Sequence, residues 1–240
     1  MDSLKRNDLL KDWLSRRLKI DFSISSASSD ASFRRYFRVK TVEDTFIVMD
    51  APPENESIEA FVKIGQILST INVNVPDIFE EDNALGFILM QDFGSDTYLD
   101  VLNDDNQQRL YSDSIESLIQ MQKLVKKDLC QSYTQKILFD EMSLFIEWYL
   151  KKYKKIELTN KENEKLLSCF ETISKKALSQ EKFFVHRDYH SRNLMNQKLN
   201  NPGILDFQDA LVGPVTYDLV SLLKDAYIEW DEEIVLDHAV

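Results

Sequence analysis

The spacing of hydrophobic residues in the first part of the chain predicts strands and helices in alternation. A helix over residues 7–19 would carry apolar side chains on one face, and a polar stretch over residues 23–32 follows it. Short strand-like runs joined by polar turns predict strands at 36–39, 45–49, 77–81 and 86–91, with an amphipathic helix at 56–71 between the two pairs. These elements would form a small antiparallel sheet with one crossing helix.

From about Asp96 onward the pattern becomes mainly helical. Three apolar stripes predict amphipathic helices, and the second, aromatic stripe is interpreted as part of the hydrophobic core. The stripes are Ile115, Leu118, Ile119 and Gln122; then Phe139, Met142, Phe145, Ile146, Tyr149 and Tyr153; then Leu166, Phe170, Ile173 and Ala177. A last apolar helix is predicted over residues 217–230. The pattern therefore predicts an α+β protein with a sheet-rich N-terminal lobe, residues 1–94, and a helical C-terminal lobe, residues 95–240.

Composition narrows the class of protein. The chain has 240 residues, 43% of them hydrophobic and 29% charged, which is typical of a soluble globular protein. A formal charge of −12 disfavours nucleic acid and anionic membranes as partners. Cys130 and Cys169 are far apart without metal-ligand spacing, so we expect reduced thiols. With no apolar signal-peptide core and no run of transmembrane length, we expect a cytoplasmic protein. We also expect it to be a monomer.

The stretch from Val185 to Phe207 carries the candidate chemistry. Asp188 and Asn193 have the His-Arg-Asp-x-x-x-x-Asn spacing of a kinase catalytic loop, and Asp206-Phe207 stands where a metal-binding Asp-Phe pair is expected. In phosphoryl transfer from ATP, one carboxylate orients the acceptor hydroxyl while oxygen ligands hold Mg²⁺ against the phosphates. Asp188 is the candidate for the first role, and Asn193 and Asp206 are the candidate Mg²⁺ ligands. The alternative is that these residues only cap helices or form turns.

Asp188-Tyr189-His190-Ser191-Arg192-Asn193 resembles the phosphotransferase family that includes aminoglycoside and choline kinases. His190 matters most, because small-molecule kinases of this type often have histidine where protein kinases have lysine. Further segments are similar to the bacterial anomeric sugar kinases that phosphorylate N-acetylmuramate and N-acetylglucosamine at C1 in cell-wall recycling. These segments are Ser32–Val39, Val48–Pro53, Phe87–Gly94 and Gly213–Leu219, and the similarity covers about residues 29–230.

The resemblance implies a protein-kinase-like, two-lobed fold with ATP and Mg²⁺ as cofactors and a small amino sugar as substrate. It also implies roles for single residues. His190 would belong to the catalytic set, and Asp218 would tie the catalytic loop to the helix that follows. The turn over the phosphates would be residues 30–33, including Ser32 and Phe33. Met90, Gln91 and Asp92 would form the hinge that reads adenine through backbone groups.

One departure from the kinase pattern concerns the lysine that usually binds the α- and β-phosphates. The strand where it is expected ends in Met49, and Glu59 on the next helix has no evident partner. An arginine is the candidate replacement, because guanidinium groups bind phosphate in a bidentate fashion. Arg34, Arg35 and Arg38 all qualify, and the alternative is that they are solvated residues of a strand face.

Three hypotheses follow. The first is an ATP-dependent kinase for the anomeric hydroxyl of N-acetylmuramate or N-acetylglucosamine. The second keeps the fold but takes an aminoglycoside or an amino alcohol such as choline as acceptor. The third is a nucleotide-binding pseudokinase or regulatory module, suggested by Met49 and by a chain that stops soon after residue 231, where family members continue with helices that shape the acceptor pocket. Under that reading the C-terminal lobe is truncated.

Overall fold

The computed structural model describes residues 3–28 and 33–239. Contacts divide the chain into two compact units, Met1–Asp104 with Arg192–Gln208, and Asp105–Ser191 with Asp209–Val240. The return of residues 192–208 to the first unit was not anticipated, and the lobe boundary after residue 94 remains a prediction. Within the described ranges, no helix combines the length and the apolar character needed to cross a bilayer.

The first unit is built on a five-stranded antiparallel sheet, in the order β1-β2-β3-β5-β4 among the described residues. Its helix α1 buries Trp13 and Leu14 against Val39, Val48 and Phe87 of the sheet. The strands are β1 (Ser23–Ser28), β2 (Arg35–Lys40), β3 (Thr45–Asp50), β4 (Ile78–Asp82) and β5 (Phe87–Gln91), and the helices are α1 (Ser3–Leu18), α2 (Glu59–Thr70) and α3 (Tyr98–Val101). The four predicted strands are thus confirmed to within a residue. β1, which lies inside the predicted polar stretch, is an additional edge strand paired with β2.

The second unit is mainly helical and contains one two-stranded antiparallel sheet in its described part. Its helices are α4 (Gln107–Leu124), a 3₁₀ turn (Lys127–Leu129), α5 (Gln135–Leu144), a π-helical segment (Phe145–Tyr153), α6 (Asn160–Leu178), α7 (Tyr217–Leu223) and α8 (Glu232–Ala239). The sheet pairs β6 (Lys182–Val185) with β9 (Leu211–Pro214). The first unit holds the remaining strands, β7 (Leu194–Met195) and β8 (Gly203–Ile204), which form a hairpin of their own.

The interpretation of the aromatic stripe as core was wrong for three of its rings, whereas Ile146 of the same stripe is buried and Met142 packs against a core cluster. Phe145, Tyr149 and Tyr153 are 44%, 45% and 72% exposed. The chain is π-helical here, with hydrogen bonds such as Lys154 N–H to Tyr149 O, so residues four apart do not repeat on a buried face. The rings pack on each other instead, with centroids 5.2 Å apart for Phe145 and Tyr149.

The predicted helix over residues 217–230 was wrong in its length, since α7 ends at Leu223. Beyond it, side chains form hydrogen bonds that compete with helical backbone bonds. The Asp225 carboxylate accepts from the backbone N–H groups of Ser191 and Tyr227, at 2.8 and 2.9 Å. The Trp230 indole N–H donates to the Tyr111 hydroxyl at 2.7 Å.

Candidate active site

The predicted catalytic loop leaves the buried strand β6 in the second unit, and Asp218 holds its start. The Asp218 carboxylate accepts hydrogen bonds from the backbone N–H groups of His186 at 2.7 Å and Arg187 at 3.0 Å. Asp218 is fully buried in the first turn of α7. The expected tie between the catalytic loop and the following helix is therefore confirmed.

Burial dominates the electrostatics of Asp218. Loss of solvent raises the pKa of its carboxyl to about 7, against the effect of the two backbone hydrogen bonds that favour the ionised form. The negative charge of Asp188 adds to the increase.

Arg187 has both an unusual backbone and a well-paired side chain. Its φ of 81° lies in the left-handed region that non-glycine residues seldom adopt. Its Nε donates to the Tyr133 hydroxyl at 3.0 Å, and its Nη2 donates to Glu141 Oε1 at 2.6 Å. The Tyr133 hydroxyl also donates to Glu141 Oε1 at 3.0 Å, which closes a three-membered network in the second unit.

The structure places Asp188 and His190 on this loop, both half-buried. The His190 backbone N–H donates to Asp188 O at 3.1 Å, and the His190 ring lies edge-on to Tyr227 at 5.5 Å. Between them, the Tyr189 hydroxyl donates to Ser114 O at 2.8 Å and fixes the loop to α4. His190 thus packs against an aromatic ring, and its catalytic role stays a prediction.

The two candidate metal ligands flank the β7–β8 hairpin in the first unit. Leu205 N–H donates to Asn193 O at 2.9 Å, which places both side chains at the same end of the hairpin. Asn193 Nδ2 donates to Asp206 Oδ2 at 3.4 Å, and Gln208 Nε2 donates to Asp206 Oδ1 at 2.6 Å. Asp206 has a φ of 62°, a conformation that aspartate adopts more readily than most residues.

This pair fits a Mg²⁺ site. The two side chains lie together, with Asn193 Nδ2 donating to Asp206 Oδ2 at 3.4 Å, and a carboxylate and an amide each carry the hard oxygen donor that Mg²⁺ prefers. The described residues contain no cluster of three or more His, Cys, Asp or Glu side chains able to hold a metal. A cation bound by Asn193 and Asp206 would therefore need phosphate and water oxygens to complete its shell, as Mg²⁺ in nucleotide sites does.

Phe207 and Phe93 anchor the hairpin. Phe207 is fully buried, with its ring 4.7 Å from that of Phe61 on α2. Gln197 donates through Nε2 to Phe93 O at 2.7 Å. A Cβ at Gly203 would lie 2.7 Å from the Phe93 ring, so the hairpin approaches Phe93 too closely for any larger residue.

The three predicted hinge residues follow one another at the end of β5. Met90 is buried and paired with Ile47 and Ile78 of the neighbouring strands, and Gln91 N–H donates to Asp77 O at 2.9 Å. Asp92 accepts both arms of Arg38, at 2.6 and 2.9 Å.

Ionisation reinforces the Asp92–Arg38 pair. Burial opposes the charge on Asp92, but hydrogen bonds from Arg38 and Gly94 hold the pKa of its carboxyl below the usual range. The hydrogen bond to Asp92 in turn raises the pKa of Arg38. Asp92 therefore braces the strand end through Arg38, and the hinge role of residues 90–92 stays a prediction.

The arginines proposed to replace the phosphate-binding lysine all meet carboxylates. Arg34 pairs with Glu56 at 2.5 Å, and Arg35 donates through Nε to Asp50 Oδ2 at 3.0 Å. Met49 is fully buried in β3, and Glu59 is exposed. Phe33 is exposed as well, whereas Ser32 lies outside the described residues, as does the rest of the predicted turn over the phosphates.

Sequence reasoning missed Arg6, Tyr133, Glu141 and Gln208. Arg6 donates through Nε to Asp50 Oδ1 at 2.6 Å, across 44 residues of sequence, and Glu141 meets Arg187 across 46. Neither Arg6 nor Glu141 stands in a motif, so nothing in the local sequence distinguishes Glu141 from the other acidic residues. Gln208 could have been identified from the sequence, because it follows the Asp206-Phe207 pair directly.

Known proteins resemble this chain in sequence and in fold. The model of a family described as "Phosphotransferase enzyme family" (APH) matches residues 23–239 of the chain. The chain is 43% identical over 210 residues to an N-acetylmuramate/N-acetylglucosamine kinase of Pseudomonas putida, covering 88% of this chain and 62% of that protein. It is 38% identical over 240 residues to the protein of that name in Neisseria meningitidis, covering 98% of this chain and 71% of that one. The chain thus spans about three fifths of the length of the Pseudomonas relative.

A crystal structure of the aminoglycoside phosphotransferase APH(2'')-Ib in its ADP-bound form has a similar fold. Its TM-score is 0.64 at 17% identity, over 99% of this chain and 82% of that one. The likeness, with the antiparallel sheet and the helical unit, confirms the predicted α+β, protein-kinase-like fold class. The chain belongs to the phosphotransferase enzyme family.

Proposed function

We propose that the chain is an ATP-dependent kinase that transfers the γ-phosphate to the anomeric hydroxyl of N-acetylmuramate or N-acetylglucosamine. The observation that carries this proposal is the 43% identity to a kinase named for these two sugars, over 88% of the chain. ATP as donor is supported by the His-Arg-Asp-x-x-x-x-Asn spacing and by the ADP-bound relative of the same fold. Because ATP is the donor, we place the reaction in the cytoplasm. Because the acceptors are cell-wall sugars, we place it in their recycling.

In the proposed reaction a bond forms between the C1 oxygen of the sugar and the γ-phosphorus, and the bond from that phosphorus to the bridging oxygen of ADP breaks. Asp188 orients the sugar hydroxyl and accepts its proton, and the products are a sugar 1-phosphate and ADP. Asn193 and Asp206 would hold Mg²⁺, which neutralises charge on the phosphates when bound. The hydrogen bonds from His186 and Arg187 to Asp218 fix the backbone that carries Asp188.

The test is ADP release from Mg-ATP with N-acetylmuramate, N-acetylglucosamine, choline and kanamycin supplied in turn. Turnover with the two amino sugars alone is the expected result. Turnover with choline or kanamycin instead would overturn the substrate, and nucleotide binding without turnover on any acceptor would overturn the kinase assignment.

The Asp188→Asn variant tests the mechanism. We expect turnover to fall about 100- to 10,000-fold, the range that a positioned acid or base contributes, while the Kd for nucleotide changes less than about twofold. Asp140→Asn is the matched control, because Asp140 is an exposed carboxylate of the same unit that pairs with Lys136. Equal turnover in Asp188→Asn and Asp140→Asn would contradict the role of Asp188.

A further inference from the structure

Arg187 adopts a backbone conformation that its residue type disfavours, directly before the proposed catalytic Asp188. A φ of 81° brings the Cβ of a non-glycine residue close to its own backbone. Such a conformation is energetically unfavourable and persists only where the surroundings enforce it. The structure should therefore contain groups that hold this residue in place.

Two sets of contacts do so. The carboxylate of Asp218 binds the backbone N–H groups of His186 and Arg187, and this holds the main chain. Tyr133 and Glu141 bind the guanidinium group at 3.0 and 2.6 Å, and this holds the side chain. The second contact is a charge-assisted hydrogen bond in a half-buried place, which makes it stronger than an exposed ion pair.

Tyr133 is itself immobilised. It is buried, its backbone N–H donates to Val212 O at 2.8 Å, and its ring packs on Tyr217 at 5.3 Å. A Cβ at Gly213 would lie 2.5 Å from Tyr133 Cδ2, so the ring rests directly on the backbone of β9. Burial, followed by the hydrogen bond with Tyr217, raises the pKa of Tyr133, so its hydroxyl stays protonated and available as a donor.

We propose that Glu141 and Tyr133 are positioning residues for Asp188, which hold the Arg187 guanidinium and thereby fix the backbone from which the Asp188 carboxylate projects. This inference rests on the proposed phosphoryl transfer. A misplacement of about 1 Å in a reacting group can reduce a rate about 100-fold. We therefore expect the contacts of Glu141 and Tyr133 with Arg187 to affect turnover and to leave nucleotide binding unchanged.

The first test is Glu141→Gln, which keeps the shape of the side chain and removes its charge. We expect kcat to fall about 10- to 100-fold while KM for ATP stays within about twofold. Asp140→Asn is the matched control, because it removes a carboxylate from the same helix where only an exposed pair with Lys136 is lost. An unchanged kcat in Glu141→Gln would overturn the proposal.

The second test is Arg187→Gly, which separates side chain from backbone. Glycine adopts a positive φ without strain, so this variant would keep or raise kcat if only the backbone conformation mattered. The proposal predicts a fall like that of Glu141→Gln, and no further fall when the two substitutions are combined, because both remove one interaction. Additive losses would overturn the shared role.

A third measurement is independent of the acceptor. Amide hydrogen exchange at residues 186–190 should accelerate in Glu141→Gln and stay at the wild-type rate in Asp140→Asn. If wild-type protein turns over no amino sugar, the proposed function fails while the exchange rates still decide whether Glu141 holds the loop. Should Glu141→Gln fail to fold, Tyr133→Phe keeps the packed ring and removes only the hydroxyl, and unchanged exchange in that variant would overturn the proposal.

Discussion

Asp50 shows at the scale of one residue how this chain stabilises a buried charge. Its side chain is fully buried at the end of β3 and contacts two guanidinium groups. Arg6 reaches it from α1 and also donates to Leu85 O at 2.7 Å, whereas Arg35 comes from the neighbouring strand β2. The two arginines differ in environment, since the Arg6 side chain is 5% exposed and that of Arg35 is 34% exposed.

This difference predicts unequal losses of stability. Arg6→Gln should lower the free energy of unfolding by about 3–5 kcal/mol, the cost of removing one partner from a buried pair. Arg35→Gln should cost about 1 kcal/mol or less, because water can replace part of its contact with Asp50. Urea denaturation of both variants measures this, and equal losses would contradict the argument.

Single residues also show where the sequence stopped being informative about the site. Asp188, Asn193 and Asp206 are candidates from the sequence because phosphoryl transfer requires these residue types at this spacing, and their roles remain predictions. The partners of the arginines were not found, because Arg38 meets Asp92 across 54 residues and many other carboxylates fit equally well by sequence. Their role in phosphate binding therefore remains a prediction.

The β7–β8 hairpin is the element that holds the candidate metal ligands. The hairpin leaves no space at Gly203, where an added Cβ would lie 2.7 Å from Phe93 Cδ2 and 3.2 Å from Gln197 Cγ. The hydrogen bond from Gln197 to Phe93 O fixes both neighbours, so neither can move away freely.

We therefore expect Gly203→Ala to displace the hairpin and, with it, Asn193 and Asp206. The Kd for Mg-ADP should rise about tenfold, which isothermal titration calorimetry can measure. Leu199→Ala is the control, because Leu199 lies in the connection between the same two strands and is 82% exposed. Equal affinities in the two variants would show that the hairpin position does not matter for nucleotide binding.

Among the elements, the sheet of the first unit was predicted best. Its strands are short runs with aromatic and aliphatic residues, bounded by polar turns, which is a local signal and places β2 to β5 to within a residue. The core prediction was wrong for Phe145, Tyr149 and Tyr153, because rings that stack on one another satisfy the same spacing as rings buried in a core. The last helix was predicted too long, because Asp225 and Trp230 form contacts with residues distant in sequence.

For the molecule as a whole, Asp218 predicts an unusual dependence of stability on pH. Burial raises the pKa of its carboxyl from 3.8 in the unfolded chain to about 7 in the folded protein. Between these values the folded state binds more protons than the unfolded state, so this group makes the protein less stable as pH rises.

The comparison of wild type with Asp218→Asn isolates this contribution. The difference in free energy of unfolding, wild type minus variant, should decrease from about pH 4 to pH 7 by up to about 1.4 kcal/mol per pH unit, and should level off above that range. Urea denaturation at several pH values measures it. A difference that stays constant or increases with pH would contradict the raised pKa.

The way the chain passes between the two units has a consequence for its synthesis. The first unit is formed by Met1–Asp104 with Arg192–Gln208, so the ribosome makes much of the second unit before the first is complete. At about 5–20 residues per second, the sheet waits roughly 5–20 s for the hairpin that carries Asn193 and Asp206. During that interval the nascent chain exposes the surface that Phe207 later covers next to Phe61, and this surface is a candidate site for chaperone recognition.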